Sequence, residues 1–446
     1  MQAILMPDGQ IIMMVPLEVV QHRSIIDIPG PGILSNYAEM NAAYSALSED
    51  KKADQYVFLQ VGKVIVCDQT AQMIDLWGDI PYFQANSINS NRNIVNAPFD
   101  AAATIYDTLI SNLKDLNTYF AAASLSSNAQ SALTAQDLIY KGKLSKWREY
   151  ANSLRLRLLM RISNANESFA KTEVATMLQD PNTYPLLTDN ADNAQLNQSP
   201  STLESDIQGG IGLAPFAPDY LLDSIMAPNN DPRLAVYWDT VSGGKYVGFP
   251  ITGTASDYTN AVNNHTISTF DSSTFIYNYN VPGILFNAAE TNFLEAEAYE
   301  RWGLGDASIP YYAGIQNSID FYYGINASRI LKSGSWPVLA EPSSTQISTY
   351  EALPSIAYSG STEQKLAKIY TQKWEHFFIL QAQQAWAEYR RTGYPQLKFY
   401  DNVSSDGENP PLRLLYPSAE ALYNADNYSK VASQDKKTTK IFWDVN

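Results

Sequence analysis

Residues that build metal and redox sites are scarce in this sequence of 446 residues. A single cysteine, Cys67, excludes a disulfide framework within the chain, and we expect it to be a small buried apolar residue. The three histidines, His22, His265 and His376, lie far apart in sequence. The HExxH, GxSxG and Walker motifs are absent. No common hydrolase or nucleotide-binding class is therefore indicated.

Cations are also few, because 30 Lys and Arg stand against 46 Asp and Glu, which gives a net charge of −16. An acidic surface repels phosphate backbones, so no nucleic-acid partner is expected. The same charge disfavours direct binding to anionic lipid head groups.

Long hydrophobic runs are missing as well. The first twenty residues carry apolar clusters without a preceding cation, and Arg23 is the first positive charge. This pattern differs from a secretory signal, and the runs are too short to span a bilayer. We therefore expect a mature, trimmed or truncated form of the protein.

Apolar residues recur at helical spacing along much of the sequence. Aromatic residues are also frequent, with 29 Tyr and 8 Trp. Apolar spacing predicts helices at roughly 50–77, 98–120, 144–163, 284–302, 309–325 and, as the longest, 363–391. The segment 284–330 has the small and large residues of a tetratricopeptide-type hairpin. Tryptophans on these stripes are predicted to belong to the core, namely Trp77, Trp147, Trp374 and Trp386.

The segment LSKWREYANSLRLRLLMRIS at 144–163 places three arginines among leucines. Arg155 and Arg157 lie about 200° apart on a helix, so they do not form one basic patch with Arg161. The aliphatic part of each arginine is predicted to pack on the core, and its guanidinium is predicted to bind a carboxylate or carbonyl on a neighbouring helix. A similar ionic role is predicted for Glu388, Arg390 and Arg391, with contact to a partner protein as the alternative.

The stretch 181–283 has a different character, because Gly, Pro, Asn, Ser, Asp and Thr dominate it. Aromatic or alternating runs at 235–241, 244–251 and 273–282 suggest brief strands. A second loop-rich stretch covers 333–362. Long loops on a rigid scaffold are where binding residues concentrate, so these stretches are the expected ligand-binding region.

Five segments, in order, resemble the SusD/RagB family, and in particular its SusD-like branch. They are DLWGDIPYFQA (75–85), DLIYKGKLSKWREYANSLRLRLLMRIS (137–163), NFLEAEAYERWGLGDASIPYYAGIQNSI (292–319), IYTQKWEHFFILQAQQAWAEYRRTGYPQL (369–397) and RLLYPSAEALYNADNYSKV with DKKTTKIFWD (413–444).

This resemblance implies a mainly α fold of tetratricopeptide-like hairpins with an irregular ligand-binding region that contains a few short strands. It implies one SusD-like domain over 1–446, N-terminally incomplete. Its scaffold would cover about 40–180, 284–330 and 363–395, its binding region 181–283 and 333–362, and its irregular tail 396–446.

The resemblance also implies a Bacteroidetes outer-membrane lipoprotein that faces outward and acts as the lid of a SusC-like, TonB-dependent transporter. The sequence has no lipobox, and Cys67 lies on a predicted helix, so the lipid anchor is expected only in a full-length form.

Glycan capture needs an aromatic surface with polar groups at its rim, because a pyranose has one apolar face and a ring of hydroxyls. Loop aromatics are the candidates, with polar partners from the early loop. The predicted glycan-binding residues are Tyr237, Trp238, Tyr246, Tyr258, Tyr277, Tyr279, Trp336, Asn86, Asn91 and Arg92.

The sequence leaves rival functions open. A peptide-binding member of the family predicts main-chain hydrogen bonding and apolar pockets, and an interaction scaffold predicts a large apolar patch. A glycosidase predicts two facing carboxylates, but Glu295 and Glu297 lie about 200° apart on their helix. No cofactor is expected; the oxygen-rich loops 188–193 and 401–410 could bind calcium but lack its usual spacing.

Overall fold

The computed structural model describes residues 2–5, 11–14, 32–85, 96–197, 216–250, 252–253, 255–397 and 410–445. The fold is mainly α, as predicted. In chain order the α-helices are α1 (Ile33–Ser45), α2 (Glu49–Trp77), α3 (Ala102–Ala122), α4 (Ser127–Gln136), α5 (Leu144–Arg161), α6 (Glu167–Gln179), α7 (Leu234–Tyr237), α8 (Ala255–Asn263), α9 (Ala288–Trp302), α10 (Ser308–Ala327), α11 (Ser344–Glu351), α12 (Thr362–Phe377), α13 (Ala382–Thr392), α14 (Ser418–Tyr423) and α15 (Ala425–Val431).

The strands are short and pair antiparallel in sequence order. They are β1 (Gln2–Leu5) with β2 (Ile11–Met14), β3 (Ile80–Pro81) with β4 (Phe99–Asp100), and β5 (Ala194–Leu196) with β6 (Gly283–Phe286). Two π-helices, Tyr220–Met226 and Ser272–Ile276, and three 3₁₀ turns, Asn190–Asp192, Ala227–Asn229 and Ala432–Gln434, complete the described elements.

The chain divides into two compact units. The first comprises Met1–Leu187 with Ser404–Asn446, and the second comprises Thr188–Val403. The predicted single domain over 1–446, with its scaffold and loop boundaries, stays a prediction.

The first unit is built around α2, which packs against α1, α3 and α5. Most of α2 from Val57 to Asp75 is buried, and Cys67 lies within this stretch as expected. The C-terminal segment docks on the end of this helix, because Trp443 is buried and its Nε1 donates to Asp75 at 2.9 Å. The predicted irregular tail therefore contains α14 and α15 and is tied to the first unit.

The second unit packs α9 against α10 and α12. Close approach of α9 and α10 requires glycine at 314, because a Cβ there would come within 2.7 Å of the Phe293 ring. This contact supplies the small-against-large packing that the sequence predicts for a tetratricopeptide-like hairpin. Buried aromatic and aliphatic side chains, such as Tyr237, Phe275 and Tyr322, fill the core around these helices.

Two helix predictions have wrong boundaries. The helix expected from 98 begins at Ala102, because Phe99 and Asp100 form β4 with β3. The helix expected over 363–391 is α12 followed by α13, and the longest described helix is α2 with 29 residues. The interruption falls at Phe378, whose positive φ of 40° departs from helical geometry and turns its ring into the aromatic core.

The predicted strands at 235–241, 244–251 and 273–282 are also wrong. Residues 234–237 form α7 and residues 272–276 form a π-helix, with only isolated bridges such as Trp238 to Phe270. Tyr237 at the end of α7 and Phe275 in the π-helix are both fully buried, so these segments turn their aromatic side chains into the core.

Candidate functional site

Two of the predicted aromatic residues stack on each other in the second unit, and a third lies two residues further along the same loop segment. Tyr277 and Trp336 are stacked, with ring centroids 5.0 Å apart and ring planes at 14°. Tyr279 follows closely in sequence, and the Lys332 ammonium lies 5.5 Å from its ring centroid. The three aromatic side chains are half-buried, so each keeps part of its surface in solvent. We call Tyr277, Tyr279 and Trp336 the aromatic platform.

The backbone beneath the platform is held by pairing between two loop segments. The Tyr279 N–H donates to the Ile330 carbonyl at 2.8 Å, and the Lys332 N–H donates to the Tyr277 carbonyl at 2.8 Å. Between them, the buried Asn278 accepts from the Ile330 N–H through its side-chain oxygen at 3.1 Å. Buried, satisfied hydrogen bonds of this kind fix the positions of the two rings that flank Asn278.

Trp336 is positioned by two neighbours that the sequence analysis did not single out. Arg329 donates from Nη2 to the Trp336 carbonyl at 2.6 Å and from Nη1 to the Asn326 carbonyl at 2.9 Å. Gly334 has a φ of +79°, and a Cβ there would come within 2.2 Å of the indole. Only glycine permits this turn and this ring position together. The sequence signal was SGSW, a glycine two residues before an aromatic in a loop.

The rim of the platform combines apolar and polar groups. Ile330 and Val338 are 48% and 56% exposed, and Lys332 supplies a cation. Lys332 was also absent from the sequence-based candidates, because a lone lysine in a loop carries no local signal. A ligand with one apolar face and hydroxyl or amide groups around its edge fits such a surface.

Tyr237 and Trp238 are not part of the platform, and the prediction that they are exposed loop aromatics is wrong. They are 0% and 1% exposed. The Tyr237 ring stacks on Phe378 at 4.0 Å, and Trp238 stacks on Phe270 at 5.1 Å. Both belong to the core of the second unit because α7 is a short helix there, not a loop-edge strand.

The remaining candidates lie apart from these three. Tyr258 is half-buried and packs against Phe216 and Phe249, with centroid distances of 4.9 and 5.8 Å. Tyr246 is half-buried at the edge of the core. The polar candidates Asn86, Asn91 and Arg92 lie outside the described residues, so their part in binding stays a prediction.

Of the two carboxylates considered for catalysis, Glu297 is engaged in ion pairs. Arg391 donates to Glu297 at 2.7 Å from both Nη1 and Nη2, and Nη2 also donates to Glu388 at 2.6 Å. The predicted ionic clasp at the end of α13 is therefore confirmed. The guanidinium of Arg390 lies 3.9 Å from the centroid of the Trp386 ring.

Within the described part of the chain, no group of three or more His, Cys, Asp or Glu side chains could hold a metal ion. Asp189, in the oxygen-rich loop at 188–193, accepts a hydrogen bond from the backbone of Ala191 at 2.8 Å. Most of the other such loop lies outside the described residues, and calcium binding stays untested.

The sequence and the fold both match known proteins. A SusD-like family model, described as starch-binding and associating with the outer membrane, matches residues 30–417. The chain belongs to the SusD-like family. The resemblance seen in the five sequence segments is thereby confirmed, and the family is one of binding proteins, not enzymes.

Solved structures support the assignment. A SusD homologue from Bacteroides fragilis is similar with a TM-score of 0.73 and 20% identity, over 93% of this chain and 89% of that chain. A SusD homologue from Flavobacterium johnsoniae, described as chitin-binding, has a TM-score of 0.70 and 25% identity over 92% and 85%. Another, from Bacteroides uniformis, has a TM-score of 0.67 and 25% identity over 93% and 85%. No curated protein matches the chain.

The family description includes association with the outer membrane. None of the described helices combines the length and apolar character needed to cross a membrane.

Proposed function

We propose that this SusD-like protein captures an oligosaccharide or polysaccharide at the cell surface through the aromatic platform. The observation that carries the proposal is the stacked pair Tyr277 and Trp336, held on a paired backbone and flanked by Tyr279 and Lys332. The apolar face of a pyranose packs on such rings, while its hydroxyls reach the phenol groups and the lysine at the edge. The starch-binding family description and the chitin-binding relative support a glycan as the ligand.

We further propose that the protein delivers this glycan to a SusC-like, TonB-dependent outer-membrane transporter and is held at the membrane by a lipid anchor. Both steps rest on the family resemblance. Co-purification of a TonB-dependent barrel with the tagged full-length protein from outer membranes tests delivery, and recovery of the protein without a barrel would count against it.

Native gel retardation tests glycan capture. The folded chain is run through gels that contain soluble starch, glycol chitin, xylan or mannan. We expect retardation by at least one polymer, and we expect Trp336→Ala and Tyr277→Ala to weaken it about tenfold, which corresponds to ~1.4 kcal/mol. Trp302→Ala, a half-buried tryptophan at the end of α9, is the matched control and should keep the wild-type mobility shift.

Gly334→Ala is a second test of the platform. It keeps the Trp336 side chain, but the added Cβ would occupy the space in which the indole lies. It should weaken retardation as much as Trp336→Ala does. Unchanged mobility of the folded wild-type chain in every polymer would overturn the proposal. Binding of a peptide library in its place would favour the peptide-binding rival.

A further inference from the structure

A network of buried polar side chains adjoins the segments that carry the aromatic platform. Thr274, in the π-helix Ser272–Ile276, and Asn326, near the end of α10, are both 0% exposed. The side-chain amide of Asn326 donates from Nδ2 to the hydroxyls of Ser273 and Thr274 at 2.8 and 3.0 Å. Side chains without solvent contact do not touch a glycan, so any effect of this network on a ligand passes through its neighbours.

The direction of the hydrogen bonds in the network is set by Asp271, which caps the π-helix. Its Oδ1 accepts from the hydroxyls of Ser273 and Thr274 at 2.9 and 2.6 Å. Because a hydroxyl has one hydrogen, each of these two turns its oxygen lone pairs toward the N–H groups of Asn326. The Oδ1 atom of Asn326 then accepts from the Leu339 N–H at 2.9 Å. One orientation of the Asn326 amide therefore satisfies all of these partners.

On the Tyr277 side, the network acts through the buried Asn278. The Thr274 carbonyl accepts from Nδ2 of Asn278 at 3.0 Å, while Oδ1 of Asn278 accepts from the Ile330 N–H at 3.1 Å. Asn278 directly follows Tyr277 in the chain, and it is 2% exposed. The hydrogen bond from Asn278 therefore ties the backbone that carries Tyr277 to Thr274.

On the Trp336 side, the network acts through Asn326. The side-chain oxygen of Asn326 holds the Leu339 N–H, and its carbonyl accepts from Nη1 of Arg329 at 2.9 Å. The same guanidinium donates from Nη2 to the Trp336 carbonyl at 2.6 Å. The loop that carries the indole is thus tied on both sides of Trp336 to one buried residue.

We propose that Thr274 and Asn326 are positioning residues for glycan capture, because their hydrogen bonds set the orientation of the stacked Tyr277 and Trp336 rings. The inference rests on the proposed function, since it assigns these residues a role in the same binding site. A ring that is held in its bound orientation before the ligand arrives loses less conformational entropy on binding, which strengthens binding. The Thr274 hydroxyl carries this role because it bonds both Asp271 and Asn326.

Substitutions at Thr274 separate the hydroxyl from the shape of the side chain. Thr274→Val keeps the shape and leaves one N–H of Asn326 without its acceptor, whereas Thr274→Ser keeps the hydroxyl. Asn326→Asp lacks both N–H donors and is the second variant, in case Thr274→Val does not fold. Thr291→Val on α9 is the matched control, because the buried Thr291 hydroxyl has no hydrogen-bond partner in the part of the chain that the structure describes. Urea unfolding establishes that each variant is folded.

Each protein is measured in two ways. Native gels with the four polymers measure glycan capture, and near-UV circular dichroism measures the order of the rings. The contribution of Trp336 to the spectrum is isolated by subtracting the spectrum of the same protein with Trp336→Ala. An aromatic ring that is fixed in a folded environment gives a near-UV signal, and a ring without fixed packing loses it.

We expect Thr274→Val to lose most of the Trp336 contribution and to weaken retardation about tenfold, as Trp336→Ala does. Thr274→Ser should recover both, and Thr291→Val should match the wild type. A Trp336 contribution that is unchanged in the folded Thr274→Val or Asn326→Asp protein would overturn the inference, as would unchanged retardation despite a lost contribution.

Failure of the proposed function has a different signature. If no polymer retards the folded wild-type chain, the proposed function fails and this inference fails with it. If the wild type is retarded and Thr274→Val is retarded equally, the inference alone fails. Retardation of the wild type therefore distinguishes the two failures.

Discussion

At the scale of single residues, the three arginines of α5 each reach a different carboxylate in the first unit. Arg155 pairs with Glu173 on α6, while Arg157 and Arg161 pair with Asp68 and Asp75 on α2. All three guanidinium groups are buried. The segment is therefore an internal support with ionic contacts to two helices, as its helical spacing predicts.

Removal of one partner of a buried pair should be costly. Arg157→Ala leaves Asp68, which is fully buried, without the guanidinium that lies 3.0 Å away. We expect the free energy of unfolding to fall by about 3–5 kcal/mol in urea titrations, because a buried charge loses its partner. Lys114→Ala, which breaks a half-exposed pair with Glu173, should cost at most about 1 kcal/mol. Equal losses in the two variants would contradict this assignment.

Glu295 should make stability depend on pH. Burial raises its pKa from the ordinary 4.5 to about 7. Between these values the native state keeps a proton that the unfolded chain has released, so stability falls as pH rises through this window. The full effect is on the order of 3 kcal/mol.

Glu295→Gln replaces the titrating carboxyl with an amide that stays neutral across this range. The variant therefore does not lose stability as pH rises, and its free energy of unfolding relative to the wild type should increase from pH 4.5 to pH 7. Urea titrations across that range measure it. Glu341→Gln, an exposed glutamate in a loop, is the control and should leave the pH profile of the wild type unchanged. A Glu295→Gln profile parallel to the wild type would rule out the buried proton.

At the scale of elements, two glycines with similar open surroundings have opposite roles. A Cβ at Gly324, inside α10, or at Gly393, after α13, meets no atom within 4 Å. Gly393 has a φ of +73°, which ends its helix in the left-handed region, whereas Gly324 has no such backbone constraint.

We expect Gly324→Ala to stabilise the protein by about 0.5–1 kcal/mol, because alanine loses less entropy than glycine in a helix. Gly393→Ala should destabilise it by roughly 1 kcal/mol, because a side chain is strained at that φ. Urea unfolding of the pair measures both effects. Changes of the same sign would mean that the backbone conformation is not what distinguishes these positions.

Helix boundaries show where sequence patterns are insufficient. The apolar stripe continues without interruption across Phe378, so periodicity predicts one helix over 363–391. The break between α12 and α13 places the Phe378 ring beside Tyr237, Trp238 and Phe275. These partners come from distant parts of the chain, and a local pattern does not contain them.

At the scale of the whole molecule, the net charge of −16 makes the salt dependence of glycan binding informative. A neutral polymer that is bound by ring stacking and hydrogen bonds carries no charge for salt to screen. Its binding therefore depends little on ionic strength. We expect retardation by a neutral polysaccharide to persist when salt is raised from about 0.05 to 0.5 M.

Affinity gels at the two salt concentrations measure this, and the Trp302→Ala variant again serves as the control. A large loss of retardation of the neutral polysaccharide at high salt would contradict capture by ring stacking and uncharged hydrogen bonds.

The sequence by itself determined the fold class, the family, the ionic role of the α5 arginines and the buried state of Cys67. These follow from helical spacing and from strings of residues that are local in the chain. It also pointed to Tyr277, Tyr279 and Trp336, because aromatics in loops are natural ligand contacts.

Only the tertiary structure decided which loop aromatics share a surface. Tyr237 and Trp238 looked the same in sequence as Tyr277 and Trp336, but the first pair packs inside the core while the second pair stacks at the surface. The difference arises from pairing between segments about 50 residues apart, such as Asn278 with Ile330. Burial and ring stacking depend on such long-range contacts, which the local order of residues does not specify.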